Sequence, residues 1–336
     1  MSQRAVLLVN LGSPERPDIP SVRHYLNEFL MDPYVLQLPW IVRRLIVSMF
    51  ILPKRPDTSA LAYQNIWTKR GSPLVALTRD LMEAVQEKVD MPIAMGMRYG
   101  RLGIETGLLK LANQRGVSEV LLLPLYPHYA ESTVLTCVKE AERVIAEHKL
   151  NISLVVPKPF YARPDYINSL VASAKPWLEQ SFDHVLFSYH GLPEQHLRSA
   201  DPTGKHCLKV KDCCHVDSPA HATCYRHQVI NTTEAFVAAT GLRDDQYSIA
   251  YQSRLGRAKW LQPYTDQTLK DLAAKGVKKL LVICPAFVTD CLETLEEIEM
   301  QGAETFQHAG GESLTLIPCM NAHPEWVNTL ACWVKE

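Results

Sequence analysis

The stretch HCLKVKDCCHVDSPAHATCYRH, residues 206–227, carries four of the chain's nine cysteines and four of its twelve histidines. Crowding of this kind points to a metal site, a disulfide staple, a reactive thiol or chance. The thiols are Cys207, Cys213, Cys214 and Cys224, spaced C-x5-C-C-x9-C. Zinc sites are usually built from paired C-x2–4-C knuckles, and this segment has none. Adjacent cysteines in extended chain point to opposite sides, so Cys213 and Cys214 are poorly placed to grip one ion together.

Two further groups could carry chemistry. His190 follows a buried apolar run, where an imidazole at a strand's carboxyl end suits proton transfer or metal ligation; taken alone, a satisfied structural histidine is the commoner reading of the same position. In FVTDCLETLEEIEMQ, residues 287–301, Asp290 can cap a helix, and Glu293, Glu297 and Gln301 recur at i, i+4, i+8 on one helical face. Glu296 and Glu299 lie elsewhere. This acidic run is either a solvated helix with its acids near the positive N-terminus or a polar stripe entering a site.

The elements that must position these residues alternate regularly. Strands are predicted at Ala5–Asn10, Pro92–Met97, Glu119–Pro124, Ile152–Val156, His184–Ser188, Gln246–Tyr251, Lys279–Cys284 and Leu314–Ile317. Several are continuous Val/Leu/Ile runs, as expected of parallel strands buried on both faces. Helices are predicted between them, most clearly over 73–89 and 131–148. The fold class is therefore α/β. The halves also match each other: AVLLVNLGSP (5–14) parallels HVLFSYHGLP (184–193), and GVSEVLLLPLYP (116–127) parallels GVKKLLVICPAF (276–287). Two similar domains are expected, 1–158 and 159–321, with the cysteine-rich loop 201–224 in the second and a C-terminal helix over 322–336 packing back on the first. Ligands of such sheets bind beyond the carboxyl ends of the strands, and two facing domains make a cleft.

Composition narrows the function. A length of 336 residues suits two domains, and 35 basic against 36 acidic residues give no reason to expect nucleic acid. The chain has no G-x-G-x-x-G, P-loop, G-x-S-x-G or H-E-x-x-H motif. The opening apolar run is too short for a signal peptide, so a cytoplasmic location with reduced thiols is expected. Segment 34–53, YVLQLPWIVRRLIVSMFILP, is apolar but holds Arg43 and Arg44 at its centre and Pro39 inside. Two mid-bilayer arginines are costly, which argues against a transmembrane helix. An amphipathic helix on a pocket lip or membrane surface fits, as does a buried helix with snorkelling arginines.

LVNLGSP (8–14), LPLYPHY (123–129), SYHG (188–191), YQSRLGRAKWLQPYTD (251–266), FVTDCLETLEEI (287–298) and the lip segment together resemble the ferrochelatases, in order and over nearly the whole chain. The resemblance implies two Rossmann-like chelatase domains, and an enzyme that inserts Fe²⁺ into a porphyrin, protoporphyrin IX first among them, forming haem with release of two protons. It makes His190 and Glu293 the catalytic pair and the groups that meet the substrate iron, facing each other across the porphyrin, with Glu297 as relay. Arg98, Tyr99, Trp260, Leu11 and Tyr126 match positions lining the porphyrin pocket. Some members have His directly after the Asp of TD; here Cys291 stands there. Some members also carry a [2Fe–2S] cluster, and four thiolates match what that cluster needs. The resemblance thus makes Cys207, Cys213, Cys214 and Cys224 its ligands, leaving zinc or no metal as alternatives and the four nearby histidines as solvated loop residues. Two other functions share the fold: a chelatase for another tetrapyrrole or metal such as cobalt, and a non-catalytic tetrapyrrole-binding protein, which has no need of His190 opposite Glu293. Peripheral membrane contact through 34–53 is also expected.

Overall fold

The computed structural model describes residues 3–256 and 258–336. Its chain divides into two compact units. The first runs to Tyr126 and continues with Glu131–Lys158 and Leu330–Glu336; the second comprises Pro127–Ala130 and Pro159–Thr329.

Each unit is built on a four-stranded parallel sheet. In the first, β1 (Gln3–Gly12), β2 (Ile93–Tyr99), β3 (Val117–Pro124) and β4 (Ser153–Val155) lie in the order β2-β1-β3-β4. In the second, β5 (His184–His190), β6 (Tyr247–Gln252), β7 (Lys279–Ile283) and β8 (Ser313–Leu316) lie in the order β6-β5-β7-β8. The two orders are the same pattern shifted by four strands, so the internal sequence match is a match of topology. Both sheets are sandwiched by helices, and the strands are nearly all buried: Ala5 through Val9 in β1, and Val185 through Phe187 in β5, have no exposed surface. Burial on both faces is why these strands read as unbroken aliphatic runs rather than alternating ones.

All eight predicted strands are present. β1 and β5 run further than their apolar cores suggest, because pairing continues at Gly12↔Tyr99 and His190↔Gln252. His190 is therefore the last residue of β5, held in the ladder, rather than part of the loop beyond. Gly12 ends β1 with φ +109°, and a Cβ there would stand 2.0 Å from the Tyr99 carbonyl oxygen; only glycine allows β1 and β2 this approach.

The lip differs in detail from its expectation. A short helix, Trp40–Ile46, runs into a π-turn, Val47–Ile51. Its outer face is apolar and exposed, with Trp40 at 63%, Ile41 at 66% and Phe50 at 71%. The two arginines part company. Arg44 is exposed and reaches Asn27, whereas Arg43 is 5% exposed and its guanidinium holds the carbonyls of Leu36 and Leu38 at 3.1 and 3.0 Å. Residues adjacent in a helix point about 100° apart, so one turns inward. Among the described residues no helix is long and apolar enough to cross a membrane.

Candidate active site

In a sheet of this order the chain steps outward from β5 to β6 and then crosses back past β5 to β7, so the carboxyl ends of β5 and β7 flank the topological switch point. His190 ends β5, and the segment carrying Glu293 follows β7. His190 Nδ1 lies 2.6 Å from the Gly191 carbonyl oxygen. A carbonyl can only accept, so Nδ1 carries a proton, and in the neutral ring the lone pair is on Nε2. Phe287 packs against the imidazole with ring centroids 6.4 Å apart. Trp260 lies against the next residue: a Cβ on Gly191 would stand 3.4 Å from the Trp260 ring, whose indole N–H donates to the Leu255 carbonyl at 3.1 Å.

The acidic segment is not a plain α-helix. After one α-turn at Leu292–Thr294 it winds as a π-helix over Leu295–Gly302 before returning to α at Ala303–His308. The wider i→i+5 winding pairs Gln301 with Glu296, whose two carboxylate oxygens accept from Gln301 Nε2 at 2.8 and 2.9 Å. Glu296 is buried by this pairing, and Gln301 is turned to it rather than extending a stripe from Glu293 and Glu297. Glu293 is half-buried, and its carboxylate takes a hydrogen bond from the Cys291 thiol. Burial, with the Glu293 charge, pushes that thiol well above its ordinary value, so Cys291 is a donor and not a thiolate. Glu297 accepts from the Ser253 hydroxyl; Ser253 adopts φ +60°, a strained conformation for a side chain other than glycine.

Two residues that sequence reasoning passed over join these groups. Gln252 is buried at the end of β6, opposite His190 in register. Its Nε2 donates to the Glu293 carbonyl at 2.7 Å, its Oε1 accepts from Ser188 at 2.7 Å, and its own carbonyl accepts from Gly191 N–H at 2.7 Å. It thus fixes the backbone on both sides of the switch point. Ser253, next in sequence, orients Glu297. Both stand in the YQSRLG motif; polar residues directly after the apolar run of β6 are the mark that could have found them.

In the first unit, Leu11 stands next to last in β1 and Tyr126 two residues beyond β3, at the corresponding switch point. Arg98 and Tyr99, at the end of β2, are committed to a buried network: Arg98 Nη2 and Tyr99 O–H reach Asp32 Oδ2 at 2.6 and 2.8 Å, and Arg98 Nε donates to Thr136 at 2.7 Å. Burial and then the Asp32 carboxylate hold the Tyr99 hydroxyl far above its ordinary value.

The cysteine-rich loop brings Cys207, Cys213, Cys214 and Cys224 together, all buried and unbridged. The Cys224 sulfur shares hydrogen bonds with the thiols of Cys214 and Cys207. The Cys214 contact and the amide N–H groups of His227 and Arg226 pull Cys224 down to about 6 against its burial. Hydrogen bonding to Cys224 and burial push Cys214 up; burial and the Cys224 charge push Cys207 up. The expectation of four solvated histidines is overturned for three of them. His206 and His221 both donate to the Cys213 carbonyl, at 2.7 and 2.9 Å, and His227 donates to the Cys214 carbonyl at 2.6 Å. Only His215 is exposed, between Asp212 and Glu234. Among the described residues no three His, Cys, Asp or Glu side chains form a group that could hold a single metal ion.

Fold and topology define a chelatase-type α/β protein. SirB from Bacillus subtilis with Fe³⁺ superimposes with a TM-score of 0.56 at 12% identity, covering 99% of this chain and 95% of that one. The sirohydrochlorin chelatase SirB from Bacillus subtilis subspecies spizizenii in complex with cobalt gives 0.55, also at 12%, covering 99% and 94%.

Sequence then narrows the class. Residues 3–336 match the ferrochelatase family. A ferrochelatase of Stutzerimonas stutzeri is 56% identical over 332 residues, 98% of this chain and 97% of that protein, and one of Azotobacter vinelandii is 55% identical over 334 residues, 98% of each. The chain belongs to the ferrochelatase family. It is an enzyme of haem synthesis, with Fe²⁺ and a porphyrin as its substrates.

Proposed function

We propose that His190 and Glu293 carry the insertion step. Each Fe²⁺ that enters the ring displaces two pyrrole protons. His190 Nε2 accepts one, becoming an imidazolium. The second leaves through Glu293 and Glu297, which also meet the incoming iron as oxygen ligands. The observation that carries this reading is the 2.6 Å bond from Nδ1 to the Gly191 carbonyl, which leaves Nε2 as the basic nitrogen at the switch point. Gln252 and Ser253 hold the two sides in place. A site shaped to a bent porphyrin, with nitrogen lone pairs turned out of plane, favours the transition state over the flat substrate. The porphyrin we propose is protoporphyrin IX: an exposed apolar lip suits a ring with two propionates better than coproporphyrin with four. Initial rates on both porphyrins with Fe²⁺, Zn²⁺ and Co²⁺ test this. Faster iron insertion into coproporphyrin would overturn the choice of ring, and preference for Co²⁺ over Fe²⁺ in matched assays would favour the cobalt reading.

The lip is proposed as a peripheral membrane contact of a cytoplasmic enzyme, where nine free thiols stay reduced. Its exposed Trp40, Ile41 and Phe50 supply the apolar face. Arg43 is spent on its own loop, so Arg44 is left to meet anionic headgroups, and one arginine near the surface is worth about 1 kcal/mol. Flotation with neutral vesicles is therefore expected to recover the protein, anionic vesicles to improve recovery about fivefold, and the Trp40→Ser, Phe50→Ser double variant to stay at the bottom. Undiminished flotation of the double variant would remove the lip from membrane contact.

The four loop cysteines are proposed to hold a [2Fe–2S] cluster. The donor set fits in kind: four buried thiols stand in one loop, those of Cys207 and Cys214 bonded to Cys224, with amide N–H groups turned toward the Cys224 sulfur as a thiolate ligand requires. When bound, such a cluster supplies one-electron redox chemistry or a structural cross-link. Anaerobically purified protein is expected to be brown, with about two irons and two acid-labile sulfides per chain. Serine at Cys207, Cys213, Cys214 or Cys224 should bleach it, and serine at Cys137, Cys284, Cys319 or Cys332 should not. Colourless protein with stoichiometric zinc would overturn the assignment.

A further inference from the structure

One helix, Tyr225–Thr240, grips both the thiol loop and the end of β5. Its first residue directly follows Cys224. On the loop side, His227 donates to the Cys214 carbonyl at 2.6 Å, and Gln228 Nε2 donates to the carbonyls of His221 and Ala222 at 3.1 and 3.0 Å. On the strand side, the Tyr225 hydroxyl donates to the His190 carbonyl at 2.9 Å, and the Thr233 hydroxyl meets that of Tyr189 at 2.7 Å.

Tyr225 cannot easily let go. It is 7% exposed. Its ring packs edge-on against His128 at 5.7 Å, and His128 packs in the same way on Tyr189 at 5.6 Å. His128 is itself 2% exposed and bonded through Nε2 to Thr232, a residue of the same helix. The wedge fills the space behind the last two residues of β5. A displacement at the head of the helix is therefore passed to the His190 backbone.

We infer that Tyr225 is a positioning residue that couples the thiol set to His190. The inference deepens the proposed site and rests on its reading of the four cysteines. The physical ground is the precision of proton transfer: the His190 carbonyl sets where the imidazole stands, and shifts of well under an ångström matter there. Coupling between two sites is reciprocal. Filling the porphyrin site must then perturb the surroundings of the cysteines as much as the cysteines perturb the porphyrin site.

The test uses the full-length protein with its cluster and compares it with Tyr225→Phe, which keeps the ring and removes only the donor. Wild type is expected to show a change in the EPR spectrum of the reduced cluster when metal-free protoporphyrin is added. Tyr225→Phe should hold the same iron and sulfide but lose that change, and its kcat should fall about three- to tenfold, the range for one lost hydrogen bond, with porphyrin KM unchanged. Thr233→Val loosens the same helix without touching His190 and should keep the spectral response. An equal response in wild type and Tyr225→Phe, an unchanged kcat, or loss of response in Thr233→Val would each overturn the role of Tyr225. If the wild-type protein is colourless, the cluster reading fails by itself. The coupling is then read from the rate at which N-ethylmaleimide alkylates the four thiols: porphyrin protection in wild type that is absent from Tyr225→Phe supports it, and identical rates overturn it.

Discussion

Alanine at His190 is expected to lower kcat for iron insertion by about 10²–10⁴-fold, the usual worth of a positioned general base, while the protein folds and binds porphyrin. The imidazole is half-buried, and among the described residues its hydrogen bond runs to the carbonyl of the next residue. Its removal costs one such bond, about 1 kcal/mol, at the carbonyl of the buried Gly191, where water can follow into the space the ring leaves. The strand is held independently, by pairing with Gln252 and by Tyr225 on the His190 carbonyl. Loss of turnover with an unchanged melting temperature and unchanged porphyrin fluorescence quenching would therefore report the missing Nε2. A variant that keeps more than about a tenth of wild-type kcat would show that some other group takes the proton, since a base worth so little lies below the general range.

The fold was legible because parallel strands buried on both faces leave a strong mark. Runs such as AVLLVN and EVLLLP have no polar face to confuse the reading, and the repeat of these runs at matching intervals made the two sheets visible before their topology was known. What could not be read were the places where side chains override the backbone period. The i, i+4, i+8 spacing of Glu293, Glu297 and Gln301 looked like one α-helical face. The chain instead winds wider from Leu295, and Gln301 turns to Glu296 five residues earlier. Nothing in a hydrophobic pattern of period 3.6 distinguishes an eight-residue π-segment, although such segments gather at functional sites.

The proposed site draws its reactive ends from residue types visible in the sequence and its supports from the fold. A histidine closing an apolar strand and an acidic helix start are visible as residue types. Gln252, Ser253 and Tyr225 act through backbone carbonyls or one carboxylate, and such partners are set by the fold. The cysteine-rich loop shows the same limit. Its histidines read as solvated because loops usually are, yet three of them close over the carbonyls of Cys213 and Cys214. That answers the difficulty of two adjacent cysteines: rings bonded to the carbonyls of both residues hold the local backbone in a fixed turn, with both thiols buried. Arg43 and Arg44 likewise could not be told apart by type, only by which one the helix turns inward.

Glutamine at Glu293 is the sharper test of the metal side. The substitution keeps the shape of the side chain, its carbonyl oxygen can still accept from the Cys291 thiol, and the main-chain bond from Gln252 is untouched. What disappears is the negative charge. Porphyrin binding should then persist, while kcat for Fe²⁺ insertion falls by about 10²–10⁴-fold, because an amide neither takes a proton nor neutralises an incoming cation. Glu297→Gln is expected to be milder, about tenfold, since relay through a more distant carboxylate can be replaced in part by water. Single-turnover insertion followed by porphyrin absorbance separates the outcomes from slow product release. The comparison also discriminates between the two ways of reading an acidic helix: a solvated face would lose nothing measurable from either variant, because an exposed carboxylate near a helix N-terminus contributes about 0.3–1 kcal/mol to folding and nothing to turnover. A graded loss, steep at Glu293 and shallow at Glu297, is what a path for protons and iron leading away from His190 requires.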